Sequence, residues 1–217
     1  MRISVPGRIC LFGEHSDWAG TYRRINADIP PGAAIITGTN QGIHAEVAPH
    51  PGRLIFRATL DDGTRVPEWS AEMTAPALLA AAREGGFHSY AAGVAYQVLI
   101  NHNVRGLVID NDRTDLPVKK GLSSSAAVCV LVARAFNRVY DLKLTVRGEM
   151  ELAYQGEITT PSRCGRMDQG CAYGERPIRM TFDGDRIDVD ELAVGGDIHM
   201  VIVDLHAAKD TREILNR

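Results

Sequence analysis

The sequence predicts an α+β fold, and three observations carry that prediction. The first third of the chain is cut by Pro and Gly (Pro6, Gly7, Gly13, Gly20, Pro30, Pro31, Gly32, Gly38, Gly42) into short β-prone runs, as in a meander or mixed sheet. Helical periodicity concentrates in the middle, between residues 71 and 157. Strand patterns return towards the C-terminus. Strands first and helices grouped after them argue against a regular β-α-β alternation. With 217 residues, 45% hydrophobic and 24% charged, the chain has an ordinary globular mix. There is room for one large domain, or one domain and part of a second.

The elements follow in order. Strands are predicted over 2–5, 33–37, 43–47 and 53–60. Residues 71–83 are Ala-rich and stop at Gly85-Gly86, which reads as a helix with a glycine C-cap. Residues 88–101 form a second helix with Tyr90, Val94, Gln97 and Val98 on one side. The run GLVID, 106–110, reads as a buried strand. Helix 123–140 is the clearest, because Val128, Leu131, Val132 and Ala135 repeat at i, i+3, i+4, i+7. Helix 145–157 has Thr145 as N-cap and Glu149 and Glu151 early in its course. Residues 178–182 and 199–205 return to strand patterns.

Composition also excludes. A net charge of −3 makes a poor non-specific nucleic-acid binder, whose affinity comes from clustered Lys and Arg. The longest apolar run, Ala126 to Ala133, is far short of the ~20 residues of a membrane helix. The start, MRISVPGR, has no apolar stretch of a secretory signal. The four cysteines, Cys10, Cys129, Cys164 and Cys171, form no CxxC pair, so reduced thiols and a cytoplasmic location are expected.

Three segments carry chemistry. Residues 117–127, PVKKGLSSSAA, place a glycine and three serines at the start of the strongest helix. A helix N-terminus has unpaired N–H groups and the positive end of the dipole, so it binds anions. Lys119 and Lys120 add positive charge on the approach. One serine would serve for capping; three after Gly121 favour phosphate binding. No Walker A pattern is present. Glu157 continues the apolar face of Met150, Ala153 and Tyr154 at the negative end of a helix. A nearby cation would offset that, while a solvated helix end is the plain alternative. Asp168 lies between glycines in CGRMDQG, 164–170, suited to close ligand approach or to an Asx-turn. In PGRICLFGEHSD, 6–17, an apolar run delivers Glu14, His15 and Asp17. These suit a metal, the hydroxyls of a polyol, or a simple polar turn.

Together these segments resemble the GHMP kinase superfamily, which includes galactokinase, homoserine kinase, mevalonate kinase and phosphomevalonate kinase. Residues 6–17 are similar to its first motif. KKGLSSSAAV, 119–128, is similar to the second. CGRMDQGCAYG, 164–174, is similar to the galactokinase segment with the catalytic aspartate. Arg8, Glu14, His15, Asp17, Gly165 and Asp168 are similar to galactokinase sugar-site positions one by one. The resemblance implies a ribosomal-protein-S5-domain-2-like N-terminal kinase domain over 1–195. It also implies ATP and Mg²⁺ as cofactors and a sugar hydroxyl as acceptor. Asp168 would act as base or orient the attacking hydroxyl, with Arg8 beside it. Lys119, Lys120, Gly121, Leu122, Ser123, Ser124 and Ser125 would cradle the phosphates. Ser125 and Glu157 would hold Mg²⁺, and Glu14, His15 and Asp17 would take sugar hydroxyls.

The chain also departs from the family. Val118-Lys119-Lys120 stands where a small-residue loop is usual, and GTYRRINADIPPG, 20–32, does not follow the galactokinase pattern. No third, Gly-rich motif follows Gly174. Residues 196–217 are therefore expected to begin a second α+β domain that is mostly missing, leaving an uncovered apolar patch near 199–205. A mevalonate-type alcohol is the runner-up substrate, supported by LFGEH but lacking the expected His in 158–167. A non-catalytic sugar- and nucleotide-binding relative is the alternative outside enzymes.

Overall fold

In the computed structural model, which describes residues 1–117, 120–197, 199, 201 and 203, the β-prone first third becomes most of one sheet. β1 (Arg2–Phe12) runs into a short helix, α1 (Ser16–Tyr22). β2 (Gly32–His50), β3 (Arg53–Thr59) and β4 (Arg65–Glu72) follow. Two helices, α2 (Ala75–Glu84) and α3 (Ser89–Asn101), lead to β5 (Gly106–Thr114). Then come α4 (Ser124–Tyr140), α5 (Val146–Ile158), a 3₁₀ helix at Asp168–Tyr173, and the hairpin β6 (Ile178–Asp183) and β7 (Arg186–Glu191). Among the described residues the sheet has seven strands in the order β4-β3-β5-β2-β6-β7, with β1 paired to β2. Its one parallel pair is β3 with β5; the others are antiparallel. This is the mixed α+β architecture that the strand and helix patterns predict.

The strands alternate as pleating requires. In β3, Leu54, Phe56 and Ala58 are buried, and they join Leu107 and Ile109 of β5 in the core. On the opposite face Arg57 pairs with Glu68 and Asp110. The helices cover the apolar face. α4 contributes Val130, Leu131, Val132 and Phe136, and α5 contributes Met150 and Ala153. Thr145 caps α5 as expected, accepting from the Gly148 N–H at 3.1 Å.

Several boundaries differ from the sequence reading, each for a physical reason. The strands expected at 33–37 and 43–47 are one strand, because Gly38 and Gly42 are not turns. A Cβ at Gly38 would lie 2.2 Å from the Gly174 carbonyl oxygen, and one at Gly42 would lie 2.5 Å from that of Val5. These glycines let neighbouring backbone pass. β1 extends past 2–5 through Pro6 and Gly7, with a register shift between Pro6 and Arg8 that absorbs the proline. The helix expected from 71 starts at Ala75, because 65–72 pairs with β3 as β4. α1 and β7 have polar sequences with no clean period, and tertiary pairing alone makes them regular. The strand expected at 199–205 falls largely outside the described residues. His199, Val201 and Val203, which are described, are exposed and in no strand.

Candidate active site

The N-terminus of α4 is where the three chemistry-bearing segments meet. Ser123 precedes the helix in a left-handed conformation, φ 58° and ψ 44°, and its side chain caps none of the helix N–H groups. A non-glycine residue rarely holds such angles unless its surroundings impose them. Here the Ser123 hydroxyl instead donates to Asp168 Oδ1 at 3.0 Å. Simple capping therefore fails to explain this serine.

Asp168 opens the 3₁₀ helix, and its Oδ1 also accepts from Arg8 Nη2. Arg8 is 3% exposed. Its Nη1 donates to Glu14 Oε2 at 3.3 Å, and its backbone N–H donates to the Leu122 carbonyl at 3.1 Å. Burial alone would favour loss of the guanidinium charge, but Asp168 and Glu14 outweigh it and raise the Arg8 pKa. His15 follows Glu14, with Nε2 at 4.0 Å from its Oε1. One arginine thus joins a strand, the loop after it and a segment 160 residues away.

Asp17 is 5% exposed. Its Oδ2 accepts the Met167 N–H at 3.2 Å and its Oδ1 accepts the Trp18 N–H at 3.0 Å. Burial raises its pKa, opposed by the Met167 N–H and reinforced by the charge of Asp168. Gly165 is what lets it sit there. A Cβ at Gly165 would fall 1.7 Å from Asp17 Oδ2.

Glu157 is 1% exposed, so it is not a solvated helix end. Its Oε2 accepts from Gln169 Nε2 at 2.9 Å, and Ser125 and Cys129 also hydrogen-bond its carboxyl. Burial and the charge of Asp168 push its pKa up to about 7, against those hydrogen bonds. A raised carboxylic-acid pKa costs stability as pH climbs through that value, because the folded state holds the proton more tightly than the unfolded chain. Glu157→Gln, which imitates the protonated form, is expected to be more stable than the wild type by on the order of 3 kcal/mol above pH 8. The advantage should shrink towards zero near pH 4. Urea unfolding at pH 5 and pH 8 checks this; equal differences at both would show that Glu157 does not titrate as described.

The expected residues thus converge on one place, with some exceptions. Lys119 lies outside the described residues, Lys120 is exposed, and Ser124 simply begins the helix. Gln169 stands inside the third segment but was not singled out from sequence. It is fully buried, and its Oε1 has no hydrogen-bond partner among the described residues. An amide directly after an acidic residue in a Gly- and Cys-rich run was its available signal.

Residues 89–175, which span α3 to the end of the 3₁₀ helix, match the family model of the GHMP kinases N terminal domain. No curated protein matches the chain by sequence. Among solved structures, the Lactococcus lactis galactokinase complexed with galactose aligns at a TM-score of 0.67 and 18% identity, over 88% of this chain and 46% of that one. A D-glycero-D-manno-heptose 1-phosphate kinase from Bacteroides thetaiotaomicron aligns at 0.67 and 21%, over 88% and 60%. The Methanococcus jannaschii mevalonate kinase aligns at 0.65 and 17%, over 87% and 55%. At such identities the likeness is one of fold, and the chain spans about half the length of these structures. Residues 89–175 thus carry the signature of the GHMP kinases N terminal domain, and the fold that surrounds them is similar to that of these kinases.

Proposed function

We propose that the protein is an ATP-dependent kinase that transfers the γ-phosphoryl group to a hydroxyl of a sugar or sugar-like alcohol. The observation that carries this reading is the three-way contact of Arg8, Asp168 and Ser123 beside the first turn of α4. It sets a carboxylate and a buried cation next to a helix N-terminus, the place where a phosphate chain is best received. Asp168 orients the acceptor hydroxyl and takes its proton. Arg8 neutralises charge that builds on the transferring group. Gly121 to Ser125 receive the phosphates through backbone N–H groups, with Lys119 and Lys120 at the approach. Glu14, His15, Asp17 and Gly165 form the sugar side.

The residues present fit Mg²⁺. Ser125 and Glu157 offer hard oxygen donors. Among the described residues no group of three or more His, Cys, Asp or Glu could hold a metal ion. That suits an ion carried largely by the nucleotide phosphates. When bound, Mg·ATP supplies the phosphoryl group with part of its charge already neutralised. Ser125→Ala is expected to weaken Mg·ATP binding roughly tenfold, the worth of one hydrogen bond to a charged group, and to leave the fold intact because Ala suits a helix. Calorimetric titration checks it; unchanged affinity removes Ser125 from the metal site.

In this reading residues 1–195 are the ATP- and substrate-binding domain and 196–217 begin a second one. No helix among the described residues is long and apolar enough to cross a membrane. A mevalonate-type alcohol is the second reading, favoured by LFGEH at 11–15 and by the mevalonate kinase likeness in fold. Incubation with ATP and a panel of aldoses, mevalonate included, followed by ³¹P NMR, separates the readings. A sugar phosphate is the expected product. Nucleotide binding without any phosphorylated product would favour a non-catalytic relative.

A further inference from the structure

Among the described residues β1 is paired only with β2, so its other edge needs partners. α4 supplies them at two places. At the site end, the Leu122 carbonyl just before α4 accepts the Arg8 N–H. Further along, Arg134 Nη1 donates to the Ser4 carbonyl at 3.1 Å. The 3₁₀ helix is held in the same manner. Ser123 donates to Asp168 at its start, and Arg134 Nη2 donates to the Ala172 carbonyl at 2.7 Å near its end. The two attachment points lie about 17 Å apart along the line of α4, at ~1.5 Å per residue. One attachment lets a segment pivot; two fix its direction.

Arg134 is itself locked. Its Nε donates to Glu149 Oε2 at 2.8 Å. Asn137 Nδ2 donates to Glu149 Oε1 at 2.7 Å. Glu149 is nearly buried in the first turn of α5, where the helix dipole favours a carboxylate. Arg134 directly follows the apolar run Ala126 to Ala133 and stands outside the three motif segments. The Arg8–Asp168 contact joins residues 160 apart, so its geometry depends on how both carriers are seated.

We propose that Arg134, held by Glu149 and Asn137, is a positioning residue that keeps the Arg8 strand and the Asp168 helix at a fixed angle on α4. This rests on the reading of Arg8 and Asp168 as the reactive pair. Lysine keeps the charge but cannot serve three acceptors in the planar fork of a guanidinium.

The test is a double-mutant cycle of Arg8→Met and Asp168→Ala, read by urea unfolding, in the wild-type chain and in Arg134→Lys. The expected coupling in the wild type is roughly tenfold or more in the unfolding constant. In Arg134→Lys it should fall to roughly threefold or less. Full coupling in Arg134→Lys overturns the proposal. If Arg134→Lys does not fold, Glu149→Gln, which leaves Arg134 present but loosened, is expected to lower the same coupling; no change there overturns it as well. In phosphoryl transfer, Arg134→Lys should lower kcat while the KM for ATP stays within about threefold, since the loop at the start of α4 is untouched. A loss confined to KM counts against it. The unfolding cycle needs no turnover, so a coupling loss leaves the positioning role standing even where no aldose or mevalonate is phosphorylated, the result that counts against the kinase reading alone.

Discussion

Asp168→Asn should retain nucleotide and sugar binding and lose about 10²–10⁴-fold in kcat, the span of a general base. The substitution is nearly isosteric. An amide oxygen can still accept from Arg8 Nη2 and Ser123 Oγ, as Oδ1 does now. The other carboxylate oxygen becomes an N–H₂ group, which cannot take a proton from the acceptor hydroxyl. Arg8 keeps Glu14 as a counter-charge at 3.3 Å, so its charge is not left alone in the interior. The loss is expected at the lower end of the range, because a loose phosphoryl-transfer transition state demands little early deprotonation. Steady-state kinetics with ATP and the best aldose measures it. A variant with wild-type kcat would remove Asp168 from the reaction.

Gly165→Ala is expected to have the largest effect on substrate affinity. The added methyl would meet Asp17 Oδ2 at 1.7 Å, so the carboxylate must turn away. In turning it gives up the Met167 N–H at 3.2 Å. A buried carboxylate stripped of a donor costs about 1–3 kcal/mol, and the Met167 N–H loses its acceptor in the same step. The variant should therefore be less stable by roughly 2 kcal/mol. With Asp17 displaced from the sugar side, the KM for sugar should rise tenfold or more, each 1.4 kcal/mol of lost contact being about a factor of ten. The KM for ATP should change little, because the three atoms nearest the added methyl all belong to Asp17. Urea unfolding and substrate titration together check it. An unchanged sugar KM would mean that Asp17 does not bind the sugar.

The legibility of this protein in its sequence divides by range. Helices α3, α4 and α5 were readable because their buried residues recur at short intervals, as with Val128, Leu131, Val132 and Ala135. The three motif segments were readable because each concentrates unusual residue types in a dozen positions. β2 was misread as two strands, because Gly38 and Gly42 answer to Gly174 and Val5 rather than to a local turn. β4 and β7 were missed because both are polar edge strands, made regular by one neighbour each.

By itself the sequence determined the fold class, the helical middle of the chain and the residues proposed here for the chemistry. These follow from periodicity and residue type, which are local. Only the tertiary structure decided what those residues do to one another. It set Arg8 between Glu14 and Asp168, turned the Ser123 hydroxyl from its own helix to Asp168, and sealed Glu157 against Gln169. It also fitted Asp17 into the space left by Gly165. The reason is physical. A buried charge is tolerated only where its partners are, and partners 160 residues apart meet only once the sheet and helices have packed.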